Sequence, residues 1–331
     1  MKSNYYAIVA LPSPISLTNC ALGHRFSAII GGHKLILHTP LLVPADENTS
    51  AHFKYGDYHQ CLAQPKIAMR YIRSDADIDW GSLHGADSKG NVMASVKHLF
   101  AVFPESPADI EKFAHEVHVA TFDWFNHFDA FMRIISNQRT TSSIRVEGDI
   151  RTCLRIEQHK PWKHLQPRSQ TIEIIVTEHK AKNFATRSDL INAMRLCSKE
   201  KELSLQYQLF LRACDAFQEN DFRNVVIESA TALEVAATRR IRTEMQKNKA
   251  TDQHIKLMLE GHKMLRNRLE LLKKINVPLP CTPKNIKDLL DLRNKVVHVG
   301  KAVDANQATK VLRDTETIIR AITPEFAEDA N

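Results

Sequence analysis

The sequence contains no run of about eighteen apolar residues, so no membrane-crossing helix is expected. Its first residues, MKSNYYAIVALPSPIS, lack the long apolar region and cleavage signal of a secretory leader. Its cysteines, Cys20, Cys61, Cys153, Cys197, Cys214 and Cys281, are scattered without a CxxC pair. That spacing argues against a disulfide scaffold and a thiolate zinc site, and fits free thiols in a reducing cytoplasm. There is no glycine-rich phosphate loop, no GxSxG, no HExxH and no internal repeat. The one metal-like spacing is His115 with His118, three apart on a helical pattern, and no further ligand cluster is readable near it. Neither a metal nor a cofactor is therefore expected.

What remains is an ordinary globular composition, with 43% hydrophobic and 25% charged residues. At 331 residues the chain is long enough for two domains. The net charge of +7 is unevenly spread. Residues 238–301 hold sixteen lysines and arginines against six acids, which leaves the rest of the chain slightly acidic. A local basic excess suits a polyanionic partner, although a charge run is also the common form of a solvated helix face.

Residues 1–185 read as an α+β domain. Residues 5–11 make a strand. Residues 26–30 and 33–38 make a hairpin around Gly31-Gly32, because paired glycines tolerate the positive φ of a tight turn. Residues 66–73 alternate apolar and polar, and 92–103 form a longer strand or a pair of strands. Residues 45–50 and 75–90 are turn-rich loops. From 107 to 135 the apolar period becomes helical, and its aromatic residues read as core. Strand character returns at 151–156 and 171–176.

Residues 186–331 read as an all-α bundle of antiparallel helices with short connections. Its helices are expected at 203–217, 221–245, 252–275, from Pro283 to about 299, and at 306–322. Thr282 and Pro283 open the fourth of these, and Gly300 closes it. Its apolar stripe is Ile286, Leu289, Leu290, Val296 and Val297. Arg293 falls inside that stripe, where a guanidinium is costly to bury without a partner. Asn294 and His298 lie one turn apart at its edge. A polar cluster thus stands where packing is expected.

An all-helical domain whose penultimate helix carries Arg293-Asn294-x-x-x-His298 resembles the HEPN (higher eukaryotes and prokaryotes nucleotide-binding) superfamily. Ala232-Leu233-Glu234 on the second helix is similar to the branch that carries a β-containing N-terminal region. The resemblance covers roughly residues 187–325 and does not extend to residues 1–185. It implies a metal-independent endoribonuclease leaving 2′,3′-cyclic phosphates, in a homodimer through the motif helix or a higher oligomer. His298 is then the general base or acid, since imidazole titrates near neutral pH. Arg293 holds the phosphate with its fork of donors, and Asn294 orients the imidazole or the phosphate. Glu234 is a candidate helper, or a surface acid near Thr238 and Arg239. Lys295 contacts RNA or solvent. Gly300 replaces the tyrosine that many toxin-type members carry, so regulation through that tyrosine is not expected. By analogy of architecture, residues 1–185 are a sensor, a substrate selector or the contact of a regulatory partner, as in toxins and anti-phage or stress defence effectors. The alternative is a non-catalytic dimerisation or nucleotide- or RNA-binding module.

Overall fold

The computed structural model describes residues 5–42, 62–68, 78–86, 91–104, 110–136, 184–198, 202–280 and 283–323. The expected strands at 151–156 and 171–176 and the loop at 45–50 lie outside them, as does Thr282. The chain divides into two units, residues 1–202 and 203–331.

The first unit is built on an antiparallel sheet of β1 (Tyr5–Thr18), β2 (Arg25–Ile30), β3 (His33–His38), β4 (Gly81–Ala86) and β5 (Val92–Phe103). β5 is the axis. β1 pairs along one edge of it, from Tyr5 opposite Phe103 to Thr18 opposite Met93, while β3 and β4 share the other edge. The hairpin forms as its sequence dictates, with Gly31 and Gly32 at φ +58° and +77°. β1 runs on through Pro12 and Pro14 by a register shift between Ala10 and Ile15, which the edge position permits.

β4 occupies part of the stretch read as a loop. Its Gly-Ser-Leu-His-Gly-Ala sequence carries turn residues, and only the pairing with β5 makes it a strand. Gly81, at φ +126°, lies so close to β5 that a Cβ there would sit 1.9 Å from the carbonyl oxygen of Ser95. Of the alternating stretch 66–73, residues 66–68 form a turn and the rest lies outside the described residues.

Two helices lie in this unit, α1 (Ile110–Ile135) and α2 (Arg187–Ser198). α1 buries Phe113, Val117, Trp124, Phe125, Phe128 and Phe131, so its aromatics are core, with Phe122 at the exposed margin. Trp124 and Phe128 stack at 5.1 Å, and Phe113 meets Phe103 of the sheet edge-on at 4.9 Å. α2 packs on α1 and β2. The boundary read from helical character, at 185, therefore falls short of the physical one at 202. Periodicity identifies a helix but does not say which core buries it.

The second unit is helical: α3 (Leu205–Gln218), α4 (Phe222–Lys247), α5 (Asp252–Gly261), α6 (Leu265–Lys274), α7 (Pro283–Val299) and α8 (Ala305–Ile322). α4 is its centre and packs against each of the others. It buries a wide arc, including Val225, Val226, Ala232, Leu233, Ala236 and Ile241, and leaves one face with Thr231, Arg239, Arg242 and Gln246 exposed. The fully buried Ser229 and Ala236 keep its surface small enough for close approach. Asp221 caps α4 by accepting from the Asn224 N–H at 3.1 Å, and Asp304 with Gln307 forms a capping box on α8. The Tyr207 hydroxyl hydrogen-bonds Thr323 and ties α3 to the end of α8.

The helix expected over 252–275 is two, α5 and α6, broken at residues 262–264. The His262 ring bonds the carbonyl of Met258 at 2.8 Å, and Arg268 Nε donates to the carbonyl of His262 at 3.1 Å, so side chains fasten the break.

Candidate functional site

α7 carries the motif, and its burial pattern explains where the motif sits. Ile286, Leu289 and Val296 are buried. Steps of three and then seven residues drift around a helix of 3.6 residues per turn, so this line slants across α7. Arg293 is left half-buried beside it and Val297 exposed. The guanidinium placed by periodicity inside the stripe is thus at its border, where water reaches it. α7 ends at Gly300, φ +67°, with the Lys301 N–H donating to the carbonyl of Lys295 at 3.2 Å.

Arg293 Nη1 donates to Asn294 Oδ1 at 3.2 Å, so the structure joins these two residues directly. Asn294, Lys295 and His298 are exposed. Among the described residues His298 has no hydrogen-bond partner, and Lys295 has no ion pair. Val297 and Val299, on either side of His298, are 39% and 78% exposed. Toward its start, α7 is pinned to α8 by Lys310 and Asp288 at 2.9 Å. The hydrogen bond from Lys310, aided by nearby lysine charge, holds the Asp288 carboxyl below its ordinary range.

Glu234 is not joined to the motif. Its carboxylate accepts from Arg268 Nη1 of α6 at 2.6 Å, and its backbone carbonyl accepts from the Thr238 hydroxyl at 2.6 Å. His115 and His118 sit on α1 as expected, and no metal-binding group of three or more His, Cys, Asp or Glu occurs among the described residues. No helix among them is long and apolar enough to cross a membrane.

Among the described residues the helical unit carries clefts of about 510 and 790 Å³. The first lies among α4, α5 and α6, and the second along α4 beside Arg268. Neither is lined by Arg293, Asn294 or His298. In the sequence this region shows only as part of the basic excess over residues 238–301, and nothing there distinguishes Arg242 and Arg268, which line both clefts.

Compared with protein families, with characterised proteins and with solved structures, the chain matches none.

Proposed function

We propose that the helical unit is a HEPN-type endoribonuclease whose site is the Arg293-Asn294-His298 face of α7, completed by the same face of a second copy. The observation that carries this reading is the exposed polar set with its fixed Arg293–Asn294 contact, bordered by uncovered valines. Uncovered apolar side chains beside a chemically competent group are what a self-complementary interface buries.

The chemistry follows from the residue types. RNA carries its own nucleophile, the 2′-hydroxyl. One His298 imidazole takes the 2′-hydroxyl proton as the 2′-oxygen bonds to phosphorus. The bond from phosphorus to the 5′-oxygen breaks, and a protonated imidazole gives that oxygen its proton. Arg293 pairs with the phosphate oxygens as charge develops on them. Asn294, accepting from Nη1, holds the guanidinium fork in place. The products are a 2′,3′-cyclic phosphate and a 5′-hydroxyl.

The second reading, a binding module without catalysis, draws on one observation: neither cleft contains the motif. Incubating the full chain with a mixed RNA pool in EDTA, beside His298→Ala, separates the two. Cyclic-phosphate ends from the wild type and none from the variant support the ribonuclease. RNA left intact by both favours the binding module.

A further inference from the structure

The two clefts adjoin on one face of the helical unit, and together we read them as a trough. Both are lined by Arg242, Gln246 and Arg268, so they meet at those three side chains. From Thr231 to Gln246 the trough follows a single face of α4, a run of roughly 22 Å at 1.5 Å per residue. It then crosses onto α5 and α6, where Ile255 and Leu259 give an apolar floor. Its cations are Arg239, Arg242, Lys256, Lys263 and Arg268, against the carboxylates of Glu234, Asp252 and Glu260.

Those charges are not equivalent. Glu234 is bound to Arg268 at 2.6 Å, and Glu260 lies 4.0 Å from Lys256. Arg242 and Lys263, both exposed, have no ion-pair partner among the described residues. Arg268 is mostly buried and fastened by Nη1 to Glu234 and by Nε to the carbonyl of His262. It is a cation already fixed at the junction of the clefts, with further N–H donors to offer a ligand.

We infer that this trough binds the phosphate backbone of single-stranded RNA, at a site separate from the α7 motif. Its length accommodates several phosphates in sequence. Arg239 and Arg242 stand in file along one face of α4, an arrangement that suits one strand. No aromatic side chain lines it, so bases are not stacked there and binding is independent of sequence. The choice of RNA over another polyanion rests on the ribonuclease reading. The trough itself does not.

The test uses the full-length His298→Ala chain, so binding is read whether or not the motif cleaves. A labelled uridine homopolymer is titrated by fluorescence anisotropy across a series of salt concentrations. Each phosphate contact in a single strand contributes about 0.7 to the slope of log K against log salt. Adding Arg242→Ala and Lys263→Ala should flatten that slope by about 1.4 and weaken binding roughly 20-fold near 0.1 M salt. Arg242→Lys with Lys263→Arg should restore both. An unchanged slope and affinity in the double alanine variant would overturn the inference. So would an equal loss on Lys284→Ala with Lys287→Ala, which remove the same charge from α7 outside the trough. Competition by duplex RNA as effective as by the single strand would also overturn it.

Discussion

Replacing Glu234 by alanine distinguishes a structural anchor from a helper in catalysis. The structure gives the carboxylate one charged partner, Arg268 Nη1 at 2.6 Å. The Arg268 side chain is only 16% exposed, so its guanidinium charge depends on the partners around it. Removing the acid leaves that guanidinium with the His262 carbonyl as its remaining fastening. A hydrogen bond to a charged group contributes about 1.5–3 kcal/mol, and orphaning a buried charge costs more. The Glu234 side chain is 39% exposed, however, so water replaces part of what is lost. The expected net cost is about 1–2 kcal/mol.

For a unit of this size that cost lowers Tm by roughly 3–8 °C, read by far-ultraviolet circular dichroism of the full chain. Arg268→Met alone should cost a similar amount. The double variant should cost less than the sum, with a coupling of about 1 kcal/mol. On the proposed ribonuclease reading, kcat of Glu234→Ala stays within about threefold, because the carboxylate does not reach the motif; loss of a general acid or base would cost 100-fold or more. A kcat reduced 100-fold at unchanged Tm would refute the anchor and restore Glu234 to the chemistry.

Gly81→Ala drives a Cβ to 1.9 Å from the Ser95 carbonyl at φ +126°, so the sheet unit should lose roughly 3 kcal/mol, measured by denaturant unfolding. Burial pushes the Cys197 thiol up to about 12, so at pH 8 it stays protonated. Iodoacetamide should label the exposed Cys20 and spare Cys197 until the chain unfolds, as peptide mass mapping would show. On the proposed pairing of α7 faces, the wild type should sediment as a dimer and Val297→Asp, which places a charge on the uncovered border of the motif, as a monomer, with Tm within about 2 °C because the residue is already 39% exposed.

Local patterns were legible in the sequence and tertiary ones were not. The Gly31-Gly32 turn, the aromatic side of α1 and the Gly300 stop each depend on residues within a few positions of one another. β4 carries no such pattern, and its pairing depends on residues of β5 six to fifteen positions away. The split of α5 from α6 was hidden because apolar spacing continues through the break, while His262 and Arg268 do the fastening. At the candidate site, the Arg293–Asn294 neighbourhood was readable because it is local. The Glu234–Arg268 pair spans 34 residues and two helices, so no local spacing announces it. The trough shows in the sequence only as a surplus of positive charge.

An open helix face raises a physical difficulty for the proposed chemistry. Electrostatic stabilisation of a phosphate is strong where water is excluded, and Asn294 and His298 are exposed. A two-fold pairing of α7 faces would supply the missing wall from an identical surface, and it would bring two His298 side chains to one site. One imidazole could then take the proton while the other donates it. If both are needed, a dimer with one His298→Ala subunit is inactive. Mixing equal amounts of wild type and variant, with exchange allowed, leaves about a quarter of the dimers wholly wild type under random pairing. Cleavage by a fixed amount of wild type should therefore fall to about half when the variant is added. Binding competition is excluded by repeating the addition with His298→Ala that also carries Val297→Asp, which keeps the trough but cannot pair. Activity unchanged by the first addition would refute the shared site, since independent sites keep every wild-type subunit active.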